Sequence, residues 1–464
     1  MMGMQLSLHT LLPWLKGAVL HGESTVQVQR VHTDTRTLRT GDLFVALRGE
    51  RFDAHDFLPE VAASGAAAVV AHQVPANYPL PALLVPDTRH ALGQIANWWR
   101  RRFAIPVIGV TGSNGKTTVK EIIAAILEAE YGAGHYLSTQ GNLNNEIGVP
   151  LTLFRLDAAH RAAVIEMGMN HPGEIARLAE IAEPRVGLVN NAQREHQEFM
   201  ATVAAVAEEN GAVIRALTAD ACAVFPADDE FTPLWQSYAG ARRVISFGLN
   251  DTANVSCSYT SKEFGSALTI TVNGEVFTAE LAAAGVHNVR NALAACAATL
   301  AIGIGPATIV HGLQAFSPVA GRLQRKSAKN GAMLIDDTYN ANPDSVRAAI
   351  DVLAAAPSPR TLVLGDMGEV GSEGIAFHQE IGAYARAQHI DQLFTLGTLA
   401  RHASSAFGAA ARHFEDMEKL NEVIGTIAPN ASVLVKGSRF MKMERVIQHL
   451  QQPQQQTGAA EGGH

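Results

Sequence analysis

The sequence predicts an α/β fold of three domains, and three observations carry that reading. From residue 104 onward, short apolar runs alternate with amphipathic helical segments, the pattern of a mostly parallel sheet covered on both faces. At 109–118 a glycine-rich turn, GVTGSNGKTT, joins one apolar run to a helix. A chain of 464 residues that is 47% hydrophobic also has material for roughly two to four buried cores.

Taken in order, the first region, 1–103, opens with a helical segment and continues with short strands at 43–47 and 67–71 between polar turns. The second, 104–320, carries the glycine-rich turn and strands at 162–166 and 186–190. The third, 321–450, repeats the alternation with strands at 332–336, 361–365, 392–396 and 432–435. Residues 451–464, rich in Gln, Gly and Ala, read as a disordered tail. A net charge of −8 without a Lys/Arg stripe argues against a nucleic-acid binder. Cys222, Cys257 and Cys296 are odd in number and lack metal-ligand spacing, so they read as buried thiols in a reducing compartment. The short apolar run near Leu11, Leu12 and Trp14 has no cleavage site and cannot span a bilayer, which leads to a cytoplasmic expectation without stable membrane insertion.

The glycine-rich turn follows a buried strand expected at 105–110 and precedes a helix at 119–127, with Lys120 and Glu121 on its wet side. Glycine at position 110 would complete the usual phosphate-loop spacing, but Val110 stands there. The variant is therefore Thr111-Gly112-Ser113-Asn114-Gly115-Lys116-Thr117. Its backbone N–H groups can turn toward phosphate oxygens, Lys116 adds a mobile positive charge, and Thr117 can offer a hydroxyl to magnesium. The plain alternative is a left-handed turn with a solvated lysine.

Open α/β sheets place their chemistry where strands end. Glu166 closes the run 162–166 and suits either a magnesium ligand or a helix cap. His196 lies beyond the strand at 186–190. Asn142, Asn144 and Asn145 offer amides in a glycine turn, suited to a neutral polar ligand or to the turn itself. Asn288 opens an alanine-rich helix, as a cap or as a reader of a base edge. The segment 335–343, IDDTYNANP, puts Asp336, Tyr339, Asn340 and Asn342 into one loop before a helix begun by Pro343. Lys436 and Arg439 leave a further strand as two positive charges.

In this order TGSNGKTT, GNLNNEIGVP, EMGMNHPGEI, HNVRNALAA, Gly321-Arg322, IDDTYNANPDS and LVKGSR resemble the Mur ligase family over nearly the whole chain except the tail. The resemblance implies a UDP-substrate domain at 1–103, a central P-loop ATPase domain at 104–320 and a Rossmann-like C-terminal domain at 321–450. It also implies a monomer that uses ATP and Mg2+ to form an amide through an acyl phosphate. The segment 34–57, DTRTLRTGDLFVALRGERFDAHDF, and the 336–343 loop are similar to the branch acting in peptidoglycan precursor synthesis on UDP-N-acetylmuramoyl-tripeptide and D-alanyl-D-alanine. Tripeptide synthetases and folylpolyglutamate synthases share the variant loop and stand as alternatives. A nucleotide-hydrolysing switch without ligation is a rival from another class.

By the same resemblance, residues Thr111 to Lys116 would hold the β- and γ-phosphates. Thr117 and Glu166 would bind one magnesium and His196 a second. Asn288 would contact adenine, while Arg322 and Asp336 would reach the nucleotide across the two later domains. Asp34, Thr35 and Arg36 would lie near the uridine diphosphate, Asn142, Asn144 and Asn145 near sugar and peptide, and Tyr339, Asn340 and Asn342 near the acceptor. Two places depart from the family: the segment Arg194-Glu195-His196-Gln197-Glu198 differs from the more usual Ala-His-Leu-Glu, and Asn210 stands where many members carry a lysine; asparagine cannot be carbamylated. Its amide could hold a metal-bound water, or Glu209 could substitute. The 317–322 segment is the expected hinge for inward motion of the last domain.

Overall fold

The computed structural model describes residues 4, 6–49, 52–195, 197–200 and 202–451. Its central sheet has nine strands. Six consecutive members, Arg243–Gly248, Cys222–Pro226, Val186–Val189, Val107–Thr111, Ala162–Glu166 and Tyr136–Ser138, lie side by side and are all parallel. Val107–Thr111 pairs with Ala162–Glu166 on one side and Val186–Val189 on the other, with Val110 opposite Glu166 and Thr111 opposite Val189. Three strands therefore end together around the glycine-rich turn, the crevice in which open α/β sheets bind ligands.

At the far edge the chain departs from the parallel pattern. Val255–Lys262, Gly265–Val272 and Glu275–Leu281 form antiparallel hairpins on the same sheet. The helix Lys116–Tyr131 packs Val119, Ile122, Ile123, Ile126 and Leu127 into a core shared with Ile108, Val110 and the helix Val286–Ala301. That three-and-four spacing is the apolar stripe expected of a helix lying on a sheet.

The expected wet side of this helix needs one correction. Lys120 is only 1% exposed; its Nζ donates to the Thr139 carbonyl at 2.8 Å and pairs with Glu121. Amphipathic spacing places it outside, but the edge strand Tyr136–Ser138 covers that flank. The covered lysine answers to a purpose near the strand end: Thr139 Oγ1 accepts from the Glu166 N–H at 3.0 Å.

In the first region, Val19–His21, Ala82–Leu84, Ala68–Ala71, Asp42–Val45 and Arg30–His32 form a five-stranded sheet in that order. The third region orders six strands as Gln324–Ser327, Met333–Asp337, Ser432–Lys436, Arg360–Gly365, Gln392–Leu396 and Ala411–Phe414, parallel except for the first. Its last helix, Glu444–Gln451, extends one residue into the expected tail, and 452–464 lie outside the described residues. Cys222, Cys257 and Cys296 are buried and free, with burial pushing the Cys257 thiol up to about 11. Among the described residues no helix is long and apolar enough to cross a membrane.

Replacing Lys120 by Ala strips a buried carbonyl of its donor, which costs about 1–3 kcal/mol. Urea denaturation of Lys120→Ala is therefore expected to show a lower midpoint with an unchanged far-UV spectrum.

Candidate active site

Glycine is required at two points of the phosphate loop. Gly112 and Gly115 have φ of 131° and 81°, in the region L side chains avoid. A Cβ on Gly115 would stand 2.3 Å from Asn291 Oδ1, and one on Gly112 2.9 Å from Asn190 Cβ. The loop is held from behind by amides. Gly112 N–H donates to Asn210 Oδ1 and Asn114 N–H to Asn191 Oδ1, both at 2.9 Å. The Asn114 carbonyl accepts from Asn190 Nδ2 at 2.8 Å and Asn191 Nδ2 at 3.0 Å. Thr111 is fully buried and donates to the Leu188 and Asn210 carbonyls. Lys116 folds back on the loop, donating to the Gly112 and Ser113 carbonyls and to Glu195 Oε2 at 3.3 Å.

This loop forms one wall of a cleft of about 930 Å³, lined by residues of all three regions. Of the expected residues, Ser113, Asn114, Gly115, Lys116, Thr117, Asn142, Asn144, Asn145, Glu166, Asn288, Arg322, Tyr339, Asn340 and Asn342 line it. Thr111 and Gly112 stand behind the lining and hold its shape.

Glu166 is 2% exposed. Its Oε1 accepts from Asn144 Nδ2 at 2.8 Å, while Oε2 is buried with no hydrogen-bond partner. An unpartnered carboxylate oxygen facing a cleft is a donor set suited to a hard cation. Thr117 Oγ1 accepts from Arg322 at 2.8 Å, and the Arg322 guanidinium lies 4.2 Å from the Tyr339 ring centre. Asn288 does not cap its helix, because Gly285 is the N-cap; its Nδ2 donates to the Ala284 carbonyl. Asn145 Oδ1 accepts from the Ile147 and Gly148 N–H groups, just ahead of the helix Gly148–Leu153, whose N-cap is Ile147.

Two sets of the expected residues lie outside this cleft lining. Asp336 is 3% exposed and outside the cleft lining, paired with Lys326 at 2.6 Å and Thr338. Side chains alternate along the strand Met333–Asp337, so it is Asp337 that faces the cleft, paired with Lys436 at 2.5 Å. Asp34, Thr35 and Arg36 sit after the strand Arg30–His32, away from the cleft lining. Hydrogen bonds from Arg36 pull the Asp34 carboxyl down to about 2. His196 lies outside the described residues.

Neither substitute for the family lysine faces the cleft. Glu209 accepts from Gly173 and Ile175 N–H groups at 2.8 Å and so caps the helix Glu174–Ala182, while Asn210 serves the phosphate loop. Residues the sequence reading left unassigned do line it: Asn190, Asn191, Gln193, Arg194 and Glu195. Their signal was a polar run, NNAQRE, directly after a buried strand.

Removing the Asn210 acceptor orphans the buried Gly112 N–H, a loss of about 1–3 kcal/mol. Asn210→Ala is expected to weaken ADP binding about tenfold by calorimetry, through a loosened loop.

Family models describing the Mur ligase family catalytic domain, the Mur ligase middle domain and the Mur ligase glutamate ligase domain match residues 27–100, 110–299 and 321–439. The UDP-N-acetylmuramoyl-tripeptide–D-alanyl-D-alanine ligase of Escherichia coli is 40% identical over 94% of this chain and 97% of its own. The enzyme of the same name from Bacillus subtilis is 34% identical over 94% of each. A crystal structure of MurF from Acinetobacter baumannii superposes with a TM-score of 0.91 at 32% identity, covering 97% of this chain and 100% of its own. MurF of Thermotoga maritima in complex with ADP gives 0.82 at 28%, covering 91% and 97%. With matching models over all three regions and close relatives along nearly its full length, the chain belongs to the Mur ligase family.

Proposed function

We propose that this chain joins D-alanyl-D-alanine to UDP-N-acetylmuramoyl-tripeptide at the expense of ATP, as a cytoplasmic monomer making peptidoglycan precursor. The work divides among domains at 1–103, 104–320 and 321–450. One observation carries the reading: the phosphate loop and the Tyr339–Asn342 loop line a single cleft and are joined across it by Asn342 Nδ2 donating to Asn114 Oδ1 at 2.9 Å. A nucleotide on one wall and an amine acceptor on the other would meet at the same donor carboxylate.

A tripeptide carboxylate oxygen attacks the γ-phosphorus, the bond to ADP breaks, and an acyl phosphate forms. The acceptor amine nitrogen then attacks the acyl carbon and loses a proton. The tetrahedral centre collapses with departure of inorganic phosphate. Lys116 leaves the Gly112 and Ser113 carbonyls and Glu195 to face the β- and γ-phosphates, offsetting charge as it develops. Loop N–H groups from Thr111 to Lys116 and the positive end of the helix Lys116–Tyr131 hold the same oxygens.

Glu166, through its unpartnered Oε2, and Thr117 are the residues to hold Mg2+, with His196 assigned to a second ion by resemblance alone. Bound there, magnesium supplies the positive charge under which two anions can approach. Asn288 and Arg322 take the nucleotide, with Asp336 shaping that wall through its neighbours. Asn142, Asn144 and Asn145 take sugar and peptide, and Tyr339, Asn340 and Asn342 the acceptor. The uridine end would leave the cleft by way of Arg89, the first-region residue in its lining, with Asp34, Thr35 and Arg36 assigned to it by resemblance.

Mass spectrometry of a mixture of ATP, UDP-muramoyl-tripeptide and D-alanyl-D-alanine tests the reading. The expected product is the UDP-muramoyl-pentapeptide; preferential coupling of a single amino acid or of glutamate would overturn it. Lys116→Ala is expected to cut dipeptide-dependent phosphate release by about a hundredfold or more at saturating substrates with the fold intact. Glu166→Gln is expected to raise the magnesium concentration needed for half-maximal rate.

A further inference from the structure

Arg194 lines the cleft and is bound to two carboxylates at once. It follows the strand Val186–Val189 in the central region, yet among the described residues both of its ionic partners, Asp344 and Glu380, belong to the third. Its backbone N–H donates to Asp344 Oδ2 at 2.9 Å. The guanidinium reaches Asp344 Oδ1 at 2.6 Å and Glu380 Oε2 at 2.7 Å, with further bonds to each carboxylate. The Phe377 ring lies 5.3 Å away. Its hydrogen bonds to Glu380 and Asp344 raise Arg194 above the ordinary arginine range, and Arg194 in return holds the Glu380 carboxyl below its usual range.

Isolated surface ion pairs are worth little, but a planar fork shared by two carboxylates has one good geometry and enforces it. Asp344 lies in the first turn of the helix Pro343–Ala354, directly after the Tyr339–Asn342 loop. Glu380 lies on the neighbouring helix Gly374–Ala387. On the other side, the next residue, Glu195, touches Lys116 at 3.3 Å. Two consecutive residues thus join the third region to the phosphate loop.

We propose, resting on the function assigned above, that Arg194 is a positioning residue: through Asp344 and Glu380 it fixes the Tyr339–Asn342 loop over the phosphate loop, so that the acceptor meets the activated carboxylate in register. It touches no reacting atom in this role. Misplacement by an ångström is enough to cost large factors in such an encounter, so the tie controls acceptor use more than nucleotide use.

The test is steady-state kinetics of the full-length enzyme with ATP, UDP-muramoyl-tripeptide and D-alanyl-D-alanine, for wild type, Arg194→Ala, Arg194→Lys and Glu380→Gln. Arg194→Ala is expected to raise the KM for the dipeptide about tenfold while the KM for ATP stays within about twofold. Arg194→Lys, which keeps the charge and loses the fork, is expected to fall between the two. Glu380 lies outside the cleft lining, so a selective rise in dipeptide KM in Glu380→Gln reports the tie and not a lost ligand contact. Combined with Arg194→Ala it should add little. Scattering with both nucleotide and UDP-substrate present should give Arg194→Ala a larger radius of gyration than wild type. An unchanged dipeptide KM, equal changes in all KM values, or additive effects of the two substitutions would overturn the proposal. If wild type itself fails to couple the dipeptide, the functional reading falls instead, and the scattering comparison still decides whether the tie exists.

Discussion

The placement of one strand governs the site. Val107–Thr111 lies between Ala162–Glu166 and Val186–Val189, and the three stop at the same level. The turn after Thr111 must then reverse into the helix Lys116–Tyr131 within four residues, which forces positive φ at Gly112 and Gly115 and brings Asn190 and Asn291 close to the places where Cβ atoms would be. Backbone N–H groups left without strand or helix partners are costly when buried. Asn191 and Asn210 supply acceptors for two of them, at Asn114 and Gly112. The loop keeps its shape through side-chain amides contributed by other strand ends and helices.

The acidic wall follows from the same geometry. Glu166 ends the neighbouring strand, and its backbone N–H is fixed by Thr139, whose carbonyl is in turn fixed by Lys120 from the phosphate-loop helix. Asn144 holds one carboxylate oxygen, and the other is buried without a hydrogen-bond partner. A lysine that looks like surface decoration in the sequence therefore braces the segment on which the carboxylate depends. Its charge, buried beside Glu121, costs less than it would unpaired.

How far the sequence could be read varies with the kind of constraint. The strands Ala162–Glu166 and Gln392–Leu396 have the expected bounds because continuous apolar runs ending in turn residues have few other solutions. The hairpins between Val255 and Leu281 escaped notice because they are rich in Ser and Thr and their burial follows no single period: Val255–Lys262 is buried at its start and exposed over the rest. Asp336 and Asp337 differ only in strand parity, which a sequence shows only once the strand's facing is known. The partners of Glu209, at Gly173 and Ile175, and of Asn210, at Gly112, are distant in sequence. No local pattern announces that a side chain will satisfy backbone brought near by folding.

The division into three regions has a physical reason in charge. The reaction assigned to the cleft brings a triphosphate and a carboxylate together, and two anions do not meet in a partly dry crevice unless each arrives with its own positive surroundings. Lys116 belongs to the central region, Arg89 to the first, and Arg322, Lys436 and Arg439 to the third, and all five line the cleft. Three of them are restrained by neighbours: Lys116 by Glu195, Lys436 by Asp337, and Arg322 by Thr117 and the Tyr339 ring. Restraint by neighbours that a phosphate or carboxylate can displace keeps these cations from repelling one another. It also leaves them beside the space a phosphate or carboxylate would enter, with each of the three regions contributing part of the positive charge.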